Sequence, residues 1–439
     1  MSWTPLHDSC ANGNVEIALS LLEKGVDIEA RDEWRQTPLH SACEHGETEA
    51  ALALLDEGAQ IDARGEYQKT SLHWACQKGY LALAMALLER GADIDARDDY
   101  LLSPLHYVSM KGHPKIAKAL LEKGADIDGL DENHRTPLHL ASNYGRLGCL
   151  LILLEGGAKI DAVDKFHRRT PLHWACNYGH LECALALLQR GADINAKSQC
   201  LMNSLLFACH EGHSGLALAL IELGVDIHAR NKQLKTALHW AGLKNLTDVA
   251  VKLIEKGADI NARDEDEKTP LHCAQLKFHA STVMKLIEYG ANILAVDKSG
   301  KKPNLSKNMR ELHQRLWGSS KLLAAMISED IVTFQALIQD DNYDVNADVR
   351  GGWSILHLAA YLNSVAYLEL LIASGRMNAK SFFANNPPKP TIQSWYNANI
   401  DMLDISTSHK YRQQTPLHIA CEKGYVDVIR VLQEFACNL

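Results

Sequence analysis

One tetrapeptide, Thr-Pro-Leu-His, recurs along this chain of 439 residues with a nearly constant period of 33 residues. Full copies begin at Thr4, Thr37, Thr136, Thr170, Thr269 and Thr415. Near-copies begin at Thr70, Ser103, Thr236 and Ser354. A fixed period of this length is typical of stacked repeats, in which each unit contacts only its neighbours. The period therefore predicts a solenoid, although the length alone would suggest about three globular domains.

Each unit carries the sequence signals of two short helices. The Thr is a good N-cap, and the Pro after it lies in the first turn, where its missing N–H costs nothing. A Gly nine residues after the Thr, as at Gly46 and Gly79, is expected to end the first helix with a positive φ. The apolar run from Leu81 to Leu88 predicts the second helix. Stability must then come from stacking between units, because one unit cannot bury its own apolar faces.

Residues 70–96 contain the most complete unit: Thr-Ser-Leu-His-Trp-Ala-Cys, then Gly79, then Leu-Ala-Leu-Ala-Met-Ala-Leu-Leu-Glu-Arg-Gly-Ala-Asp-Ile-Asp-Ala. This unit resembles the ankyrin repeat, and the resemblance covers almost the whole chain. It implies an all-α solenoid of about 12 to 13 units, each with two antiparallel helices and a projecting β-hairpin finger. It also implies a concave face of fingers and first helices that binds other proteins.

The repeat nearly fails in one place, which suggests a division of the chain. The motif is almost lost at residues 302–305, and the next unit begins without it after Gly318. We therefore predict two stacks, residues 1–317 and 318–439. Residues 297–317 carry six Lys or Arg against two Asp or Glu, which indicates a solvated helix face or, alternatively, a site for a small acidic or phosphate ligand.

The interval between the last two motifs is 28 residues longer than one repeat. The added residues fall where a finger should be, at about 381–414, and they include Trp395 and Tyr396. Long loops are usually functional or disordered. Three alternatives remain open for this segment: a binding element, a loop packed on its own stack, or a catalytic insertion that offers only Asp401, Asp404 and His409.

Several His and Cys residues could be mistaken for a metal site. His-x-x-Cys occurs at His7, His40, His73, His173 and His418, and its spacing places both side chains on one helical face. The resemblance explains each residue separately: the His bonds backbone in the neighbouring finger, and the Cys fills a buried position that is normally Ala. We therefore expect no cofactor, no metal and free Cys in a reducing compartment.

Charge and hydropathy exclude other classes of function. The net charge of −9 and the pI of about 6.2 disfavour general nucleic-acid binding, which requires a basic surface. No apolar run is long enough for a membrane span, and the first repeat begins too early to leave room for a signal peptide. The sequence contains no Gly-x-Ser-x-Gly, phosphate-loop or dinucleotide motif. We expect a cytoplasmic monomer that is not an enzyme.

The finger tips are the first candidate binding surface. Ankyrin repeats usually have Gly at the tight finger turn, but here other residues replace it: Arg35, Gln68, Leu101, His134, Arg168, Leu201, Leu234 and Glu267. The residue before it is Trp34, Tyr67 and Tyr100 in three successive fingers, and Phe166 or His167 in the fifth. Side by side, these rings should form a stripe. It could be a binding hot spot, or each ring could pack on the next finger.

The ends of the first helices should face the same groove as the fingers. Candidate contact residues there are His45, Lys78, Lys111, Tyr144 and Tyr178. A solvated face is the alternative. Separately, Asn195, Asn261 and Asn346 occupy a turn position that asparaginyl hydroxylases modify in ankyrin proteins, although a plain turn Asn explains them as well.

The sequence thus predicts a non-catalytic scaffold that binds a protein or extended peptide on its concave face. An effector of an intracellular bacterium, acting in the host cytosol, would fit this description. The alternative is a targeting module for an enzyme whose catalytic part lies beyond Leu439 or in a partner.

Overall fold

The computed structural model describes residues 3–276, 279–305, 325–326, 330–339, 348–350, 353–361, 363–374 and 416–438. The boundary near Gly318, the 381–414 insertion with Trp395 and Tyr396, and Asn346 lie outside these residues, so the predictions for them stay predictions. The chain forms two compact units, Met1–Gln233 and Leu234–Leu439, each described here by itself.

Unit 1 consists of seven helix pairs, numbered here as repeats 1 to 7. The first helices span Pro5–Ala11, Pro38–His45, Ser71–Lys78, Pro104–Lys111, Pro137–Asn143, Pro171–Tyr178 and Ser204–Glu211. The second helices span Val15–Glu23, Thr48–Asp56, Leu81–Glu89, Pro114–Glu122, Leu147–Glu155, Leu181–Gln189 and Ser214–Glu222. Each first helix packs on its own second helix, and successive first helices within unit 1 pack on one another, as stacking requires.

Unit 2 continues with the same element types. Its helices span Ala237–Lys244, Thr247–Glu255, Pro270–Leu276, Ala280–Glu288, Ile331–Gln339, Ile355–Tyr361, Val365–Ala373, Pro416–Lys423 and Val426–Asn438. Strands Asp348–Arg350 and Trp353–Ser354 pair antiparallel in a two-stranded sheet. Within unit 2, Phe334, Leu356, Leu368 and Leu432 belong to one buried cluster, and the Phe334 and Tyr367 rings meet edge to face at 4.7 Å.

The Thr or Ser and the His of the motif form a reciprocal cap at the start of the first helices of repeats 1 to 6. In repeat 2, the His40 N–H donates to Thr37 Oγ1 at 3.4 Å, and the Thr37 N–H donates to His40 Nδ1 at 3.2 Å. His40 Nε2 then donates to the Lys69 carbonyl oxygen in the next finger at 3.0 Å. The ring is therefore neutral, and burial lowers its pKa to about 4. This arrangement confirms the structural role expected of the motif His.

The stacked core uses one Leu and one small residue from each first helix. Seven equivalent Leu side chains are at most 1% exposed: Leu6, Leu39, Leu72, Leu105, Leu138, Leu172 and Leu205. Each contributes about 2 kcal/mol through burial. Cys43 is fully buried one turn after Leu39, and burial raises its thiol pKa to about 12. The inert, buried Cys was expected there.

Cys421 departs from that expectation because its side chain is exposed. Among the described helices, Pro416–Lys423 packs mainly on Ile355–Tyr361 and Val426–Asn438, and neither covers this side chain. No group of His, Cys, Asp or Glu within the described ranges could hold a metal ion.

Glycine ends the first helices as predicted, with φ between 66° and 93° at Gly46, Gly79, Gly145 and Gly212. Asn245 takes the same left-handed conformation, with φ at 59°, where the sequence lacks the Gly. Asn tolerates this region better than most residues, so the helix ends in the same way. None of the helices in the described part of the chain has the length and apolarity that a bilayer span requires.

Candidate partner-binding face

The fingers of unit 1 are the turns between repeats, and six of them are named here by residues: finger 1 (32–36), finger 2 (65–69), finger 3 (98–102), finger 4 (131–135), finger 5 (164–169) and finger 6 (198–202). No strand is assigned within these six ranges. The β-hairpin that the sequence predicted is therefore not formed in these fingers, because the two arms of each turn are too short to pair as strands. Asp32 N–H donates to the Gln36 carbonyl oxygen at 3.1 Å, which closes a loop too short for a ladder.

A buried carboxylate shapes most of these turns. Asp32 is 4% exposed, and its Oδ1 accepts the N–H groups of Trp34 at 2.9 Å and Gln36 at 2.7 Å. Asp98 holds Tyr100 and Leu102 in the same way. Asp side chains favour turns because they can accept bonds from the backbone two residues later. The aromatic residue at the tip is thereby placed on a fixed backbone.

The residue after the tip adopts a left-handed conformation in every described finger. The φ angles are 62° at Arg35, 58° at Leu101 and 56° at His134, while Gly300 of unit 2 has 76°. A side chain at such a φ costs roughly 1 kcal/mol or more, and Gly avoids this cost. The finger geometry of the repeat is thus kept, but with strain wherever Gly has been replaced.

Neighbouring fingers are joined tip to tip by backbone hydrogen bonds. Asp99 N–H donates to the Tyr67 carbonyl oxygen at 3.0 Å, and Glu132 N–H donates to that of Tyr100 at 3.1 Å. In finger 5 the acceptor of the Gln199 N–H is the carbonyl oxygen of His167, at 2.8 Å. His167 therefore occupies the position shared with Tyr67 and Tyr100. Phe166 lies beside it, in the finger that contains the additional residue.

The tip side chains are half exposed. The exposed fractions are 49% for Trp34, 49% for Tyr67, 46% for Tyr100 and 57% for Phe166. The Tyr67 and Tyr100 ring centroids are 6.0 Å apart, which is within the range of a weak aromatic contact. The two alternatives from the sequence therefore coexist for this pair: the rings touch, and about half of each remains accessible.

An arginine ladder that the sequence analysis missed fixes fingers 1 to 4. Arg31 Nη1 donates to the carbonyl oxygens of Arg35 at 2.8 Å and Arg64 at 2.6 Å. Arg64 bridges to Gln68 and Arg97 in the same way, at 3.0 and 2.7 Å. One guanidinium thus satisfies carbonyls in two successive fingers. The signal in the sequence was Arg at a spacing of 33 residues.

Finger 2 departs from its neighbours. Gly65 stands where fingers 1, 3, 4 and 5 have Asp. Residues 66–68 form a turn of 3₁₀ helix, and both Tyr67 and Gln68 have positive φ. A Cβ atom at Gly65 would lie 3.0 Å from His40 Nε2, so a larger residue would crowd that ring. One effect is an unpaired donor: Trp74 Nε1 is buried without an acceptor.

The candidate residues on the first helices are exposed, as expected. His45, Lys78, Lys111, Tyr144 and Tyr178 each lie at or next to the C-terminal end of their helix. Tyr178 stacks on Trp174, with centroids 6.1 Å apart and planes at 5°.

Two contacts show how these helices meet their surroundings. Lys78 Nζ lies 3.4 Å from Glu44 Oε1 of the preceding helix. Lys69 Nζ of finger 2 donates to Gln77 Oε1 at 3.0 Å. The bases of the fingers and the ends of the first helices therefore line one surface.

The two Asn positions have a structural role. Asn195 Oδ1 accepts the Asp226 N–H at 2.8 Å, and Asn261 Oδ1 accepts the Asn292 N–H at 2.8 Å. Asp62 and Asp95 make the same bond to the next repeat. An oxygen acceptor is therefore what this position requires, and hydroxylation of Asn195 or Asn261 stays a prediction.

Helix pairs stacked with projecting turns define a helical repeat protein of the interaction-scaffold type. The family model described as ankyrin repeats (3 copies) matches residues 6–98, 105–198 and 205–297, and a single ankyrin-repeat model matches residues 412–439. The chain therefore belongs to the ankyrin-repeat family. Ankyrin repeats are in general protein–protein interaction modules, and the fold is typically non-catalytic.

Among solved structures, the chain is similar to the crystal structure of the human ASB11 ankyrin repeat domain. The sequence identity is 30%, the TM-score is 0.46, and the match covers 50% of this chain and 97% of that one. A search of curated proteins found no match.

Proposed function

We propose that this protein is a non-catalytic scaffold that binds a protein or an extended peptide on the face formed by the finger tips and first-helix ends of unit 1. The observation that carries the proposal is the row of half-exposed rings at Trp34, Tyr67 and Tyr100. Trp and Tyr are enriched among the few residues that dominate binding energy, and a fixed backbone limits the entropy lost on association.

The cysteines support a cytosolic setting, in a host cell if the chain is a secreted effector. Ten Cys residues are free thiols, and eight of these ten are buried. Burial raises the pKa of these thiols, as at Cys209, where it is about 12. Such thiols suit a reducing environment, where disulfides rarely persist.

Affinity capture from cell lysate tests the proposal. The wild-type protein and the Trp34→Ala/Tyr67→Ala/Tyr100→Ala variant would be compared, with captured proteins identified by mass spectrometry. The rings are half exposed, so the triple variant should fold with little change in melting temperature. It should lose the captured partner because truncation of each hot-spot residue costs about 2 kcal/mol or more.

The matched control is Ile17→Ala/Leu223→Ala, which removes exposed apolar side chains from two second-helix regions of unit 1. This variant should keep the partner. A partner retained by the folded triple variant would contradict recognition by the finger tips and would direct the search to residues 381–414. A triple variant that fails to fold would show that the rings serve packing.

A further inference from the structure

Two cations in unit 1 are held between pairs of aromatic rings. Lys69 Nζ in finger 2 lies 4.7 Å from the ring centroid of Trp74 and 4.8 Å from that of Tyr107. Three repeats further along, Arg169 in finger 5 has the same arrangement. Its Cζ lies 5.2 Å from the ring centroid of Trp174 and 5.0 Å from that of Phe207. In both sites one ring belongs to the helix that follows the finger, and the other belongs to the next first helix.

Among the residues that the structure describes, these two cations have no ion pair with a carboxylate, whereas others at the same repeat position do. The paired cations are Arg135 with Asp131 at 2.8 Å, Lys235 with Asp264 at 2.6 Å, and Lys268 with Asp266 at 3.0 Å. Within the described residues, the hydrogen bond of Lys69 Nζ goes to the Gln77 amide oxygen. Arg169 makes no ion pair there, and its Nε is buried without an acceptor. A buried donor without a partner is costly, and a bound acceptor would remove that cost.

Two nearby carboxylates, those of Asp98 and Asp164, are already engaged in hydrogen bonds. Asp98 Oδ2 accepts the Tyr107 hydroxyl at 2.6 Å, and its Oδ1 holds the finger 3 backbone. Asp164 Oδ2 accepts Trp174 Nε1 at 3.2 Å. Burial lowers the pKa of Lys69; the charges of Asp98, Glu66 and Glu44 oppose this effect, and the charge of Lys111 adds to it. A carboxylate from outside would act in the same direction as these three and favour the charged ammonium group.

We infer that Lys69 and Arg169 each bind a carboxylate of one extended acidic peptide, which is the class of partner that the proposed face accepts. This inference rests on the proposed function and narrows it. Guanidinium groups bind carboxylates through two parallel hydrogen bonds, and the ring pair around Arg169 already restricts its rotation.

The spacing of the sites sets the spacing of the acidic residues. Successive packed helices lie about 8–10 Å apart, so three repeats span roughly 24–30 Å. An extended chain advances about 3.3 Å per residue. The two carboxylates should therefore be about eight residues apart, and the intervening residues would pass the exposed side chains of Lys111 and Tyr144.

The attraction must be local because the whole chain carries a net charge of −9. Charges more than about 8 Å apart are largely screened at physiological ionic strength. Lys69 and Arg169 can therefore attract a carboxylate at short range, although the net charge of the whole protein is negative. Raising the salt concentration should weaken the interaction only in part, since partly buried pairs are screened less than exposed ones.

Fluorescence anisotropy with synthetic peptides tests the inference on the full chain. The probe is a fluorescein-labelled Gly/Ser/Ala peptide with two Glu residues about eight positions apart. Its matched controls have Gln in place of each Glu, or the two Glu about four positions apart. The eight-residue peptide should bind at least about tenfold more tightly than either control, since a charge-assisted bond contributes more than a neutral one. Equal binding of the three peptides to the wild-type protein would overturn the inference.

Protein variants then locate the sites. Arg169→Gln should weaken the two-Glu peptide about tenfold or more and leave the Gln peptide unchanged. Arg169→Lys should have an intermediate effect because it keeps the charge and loses the paired hydrogen bonds. Lys123→Gln, an exposed cation beside a second helix, is the control for net charge and should have no effect. Circular dichroism melts report whether each variant is folded, and an unchanged affinity in folded Arg169→Gln would overturn the assignment.

A comparison with the capture experiment separates this inference from the proposed function. If Lys69→Gln/Arg169→Gln keeps a partner that the triple alanine variant loses, the scaffold function stands and the acidic-peptide inference fails. If both variants lose it, both ideas are supported.

Discussion

At the residue scale, the most unusual feature of this protein is a row of residues other than Gly that follow the finger tips and have a left-handed backbone conformation. Leu101 has a φ of 58° and Arg35 has 62°, in a turn that Gly would occupy without strain. Each turn nevertheless keeps this geometry, because the buried carboxylate of Asp98 or Asp32 accepts two backbone N–H groups of its own turn. Local strain is therefore balanced by hydrogen bonds to an adjacent carboxylate.

The first prediction concerns this strain. Leu101→Gly should raise the free energy of unfolding by about 0.5–1 kcal/mol, because relief of the left-handed cost exceeds the entropy cost of Gly. Urea unfolding followed by circular dichroism measures the change. Leu130→Gly is the matched control: Leu130 is similarly exposed, but its φ is not positive, so this change should destabilise by about 0.5–1 kcal/mol. Destabilisation of similar size in both variants would contradict the strain argument.

The roles of individual residues could be predicted where the partner is local. The Thr cap was expected, and Thr37 provides it for a backbone N–H within one turn. The return bond from the Thr37 N–H to His40 Nδ1 was not predicted. The arginine ladder was not expected, since Arg64 bonds backbone oxygens of two fingers and neither bond depends on the identity of the acceptor residue. Trp74 was also treated only as part of the repeat motif, and its contact with Lys69 depends on packing across repeats.

At the scale of elements, the fingers act as a connected row. Tip-to-tip backbone bonds join fingers 2 to 6, and Arg31, Arg64 and Arg97 bridge carbonyls across fingers 1 to 4. Bonds between repeats are the source of cooperativity in a solenoid, because each repeat is unstable alone. The arginine ladder is therefore part of what keeps the aromatic tips aligned.

The second prediction tests that ladder. Arg64→Lys should lower the stability of unit 1 by about 1–2 kcal/mol, because an ammonium group cannot satisfy both carbonyl oxygens in the same geometry. Thermal melts measure the loss. Arg90→Lys is the control, since Arg90 pairs with Asp56 on a solvent-exposed surface and such pairs contribute less than about 1 kcal/mol. Equal effects of the two changes would refute a special role for the ladder.

The unit around residue 203 shows how far element boundaries follow from the motif. It lacks Thr, Pro and His, but Asn203 Oδ1 accepts the Leu206 N–H at 3.0 Å and its Nδ2 donates to the Asp226 carbonyl oxygen at 3.0 Å. One amide thus caps the helix and reaches the next turn, which are two roles that Thr and His share elsewhere. The helix was predictable from the period, but this substitution was not.

At the scale of the whole molecule, the same buried ring recurs through unit 1 and should give a collective pH response. Burial lowers the pKa of five motif His rings to about 4: His40, His73, His106, His139 and His173. An unfolded His has a pKa of about 6.5, so protonation favours the unfolded chain. The stability from the neutral rings is complete above pH 6.5 and is lost as the pH falls towards 4.

The third prediction follows from that sign. Between pH 7 and pH 5 each ring should contribute roughly 2 kcal/mol less to the free energy of unfolding. The total for the five rings should be smaller than five times this value, because the structure can relax around a protonated ring. The midpoint of thermal unfolding should therefore fall steeply in this window, well above the range in which ordinary carboxylates titrate. His139→Gln should make the dependence on pH less steep. A midpoint that stays constant from pH 7 to pH 5 would show that these rings are not neutral and buried in solution.

Finger 5 has one more residue than its neighbours, yet its surroundings are unaffected. Asp164 still holds the turn through His167 and Arg169, at 3.0 and 3.1 Å, and His139 still reaches the Arg169 carbonyl oxygen at 3.1 Å. One added residue at this tip therefore leaves the neighbouring bonds to the helices in place. For protein engineering, each tip is a site where foreign loops could be grafted, so that binding specificity could be rewritten one finger at a time while the same scaffold is kept.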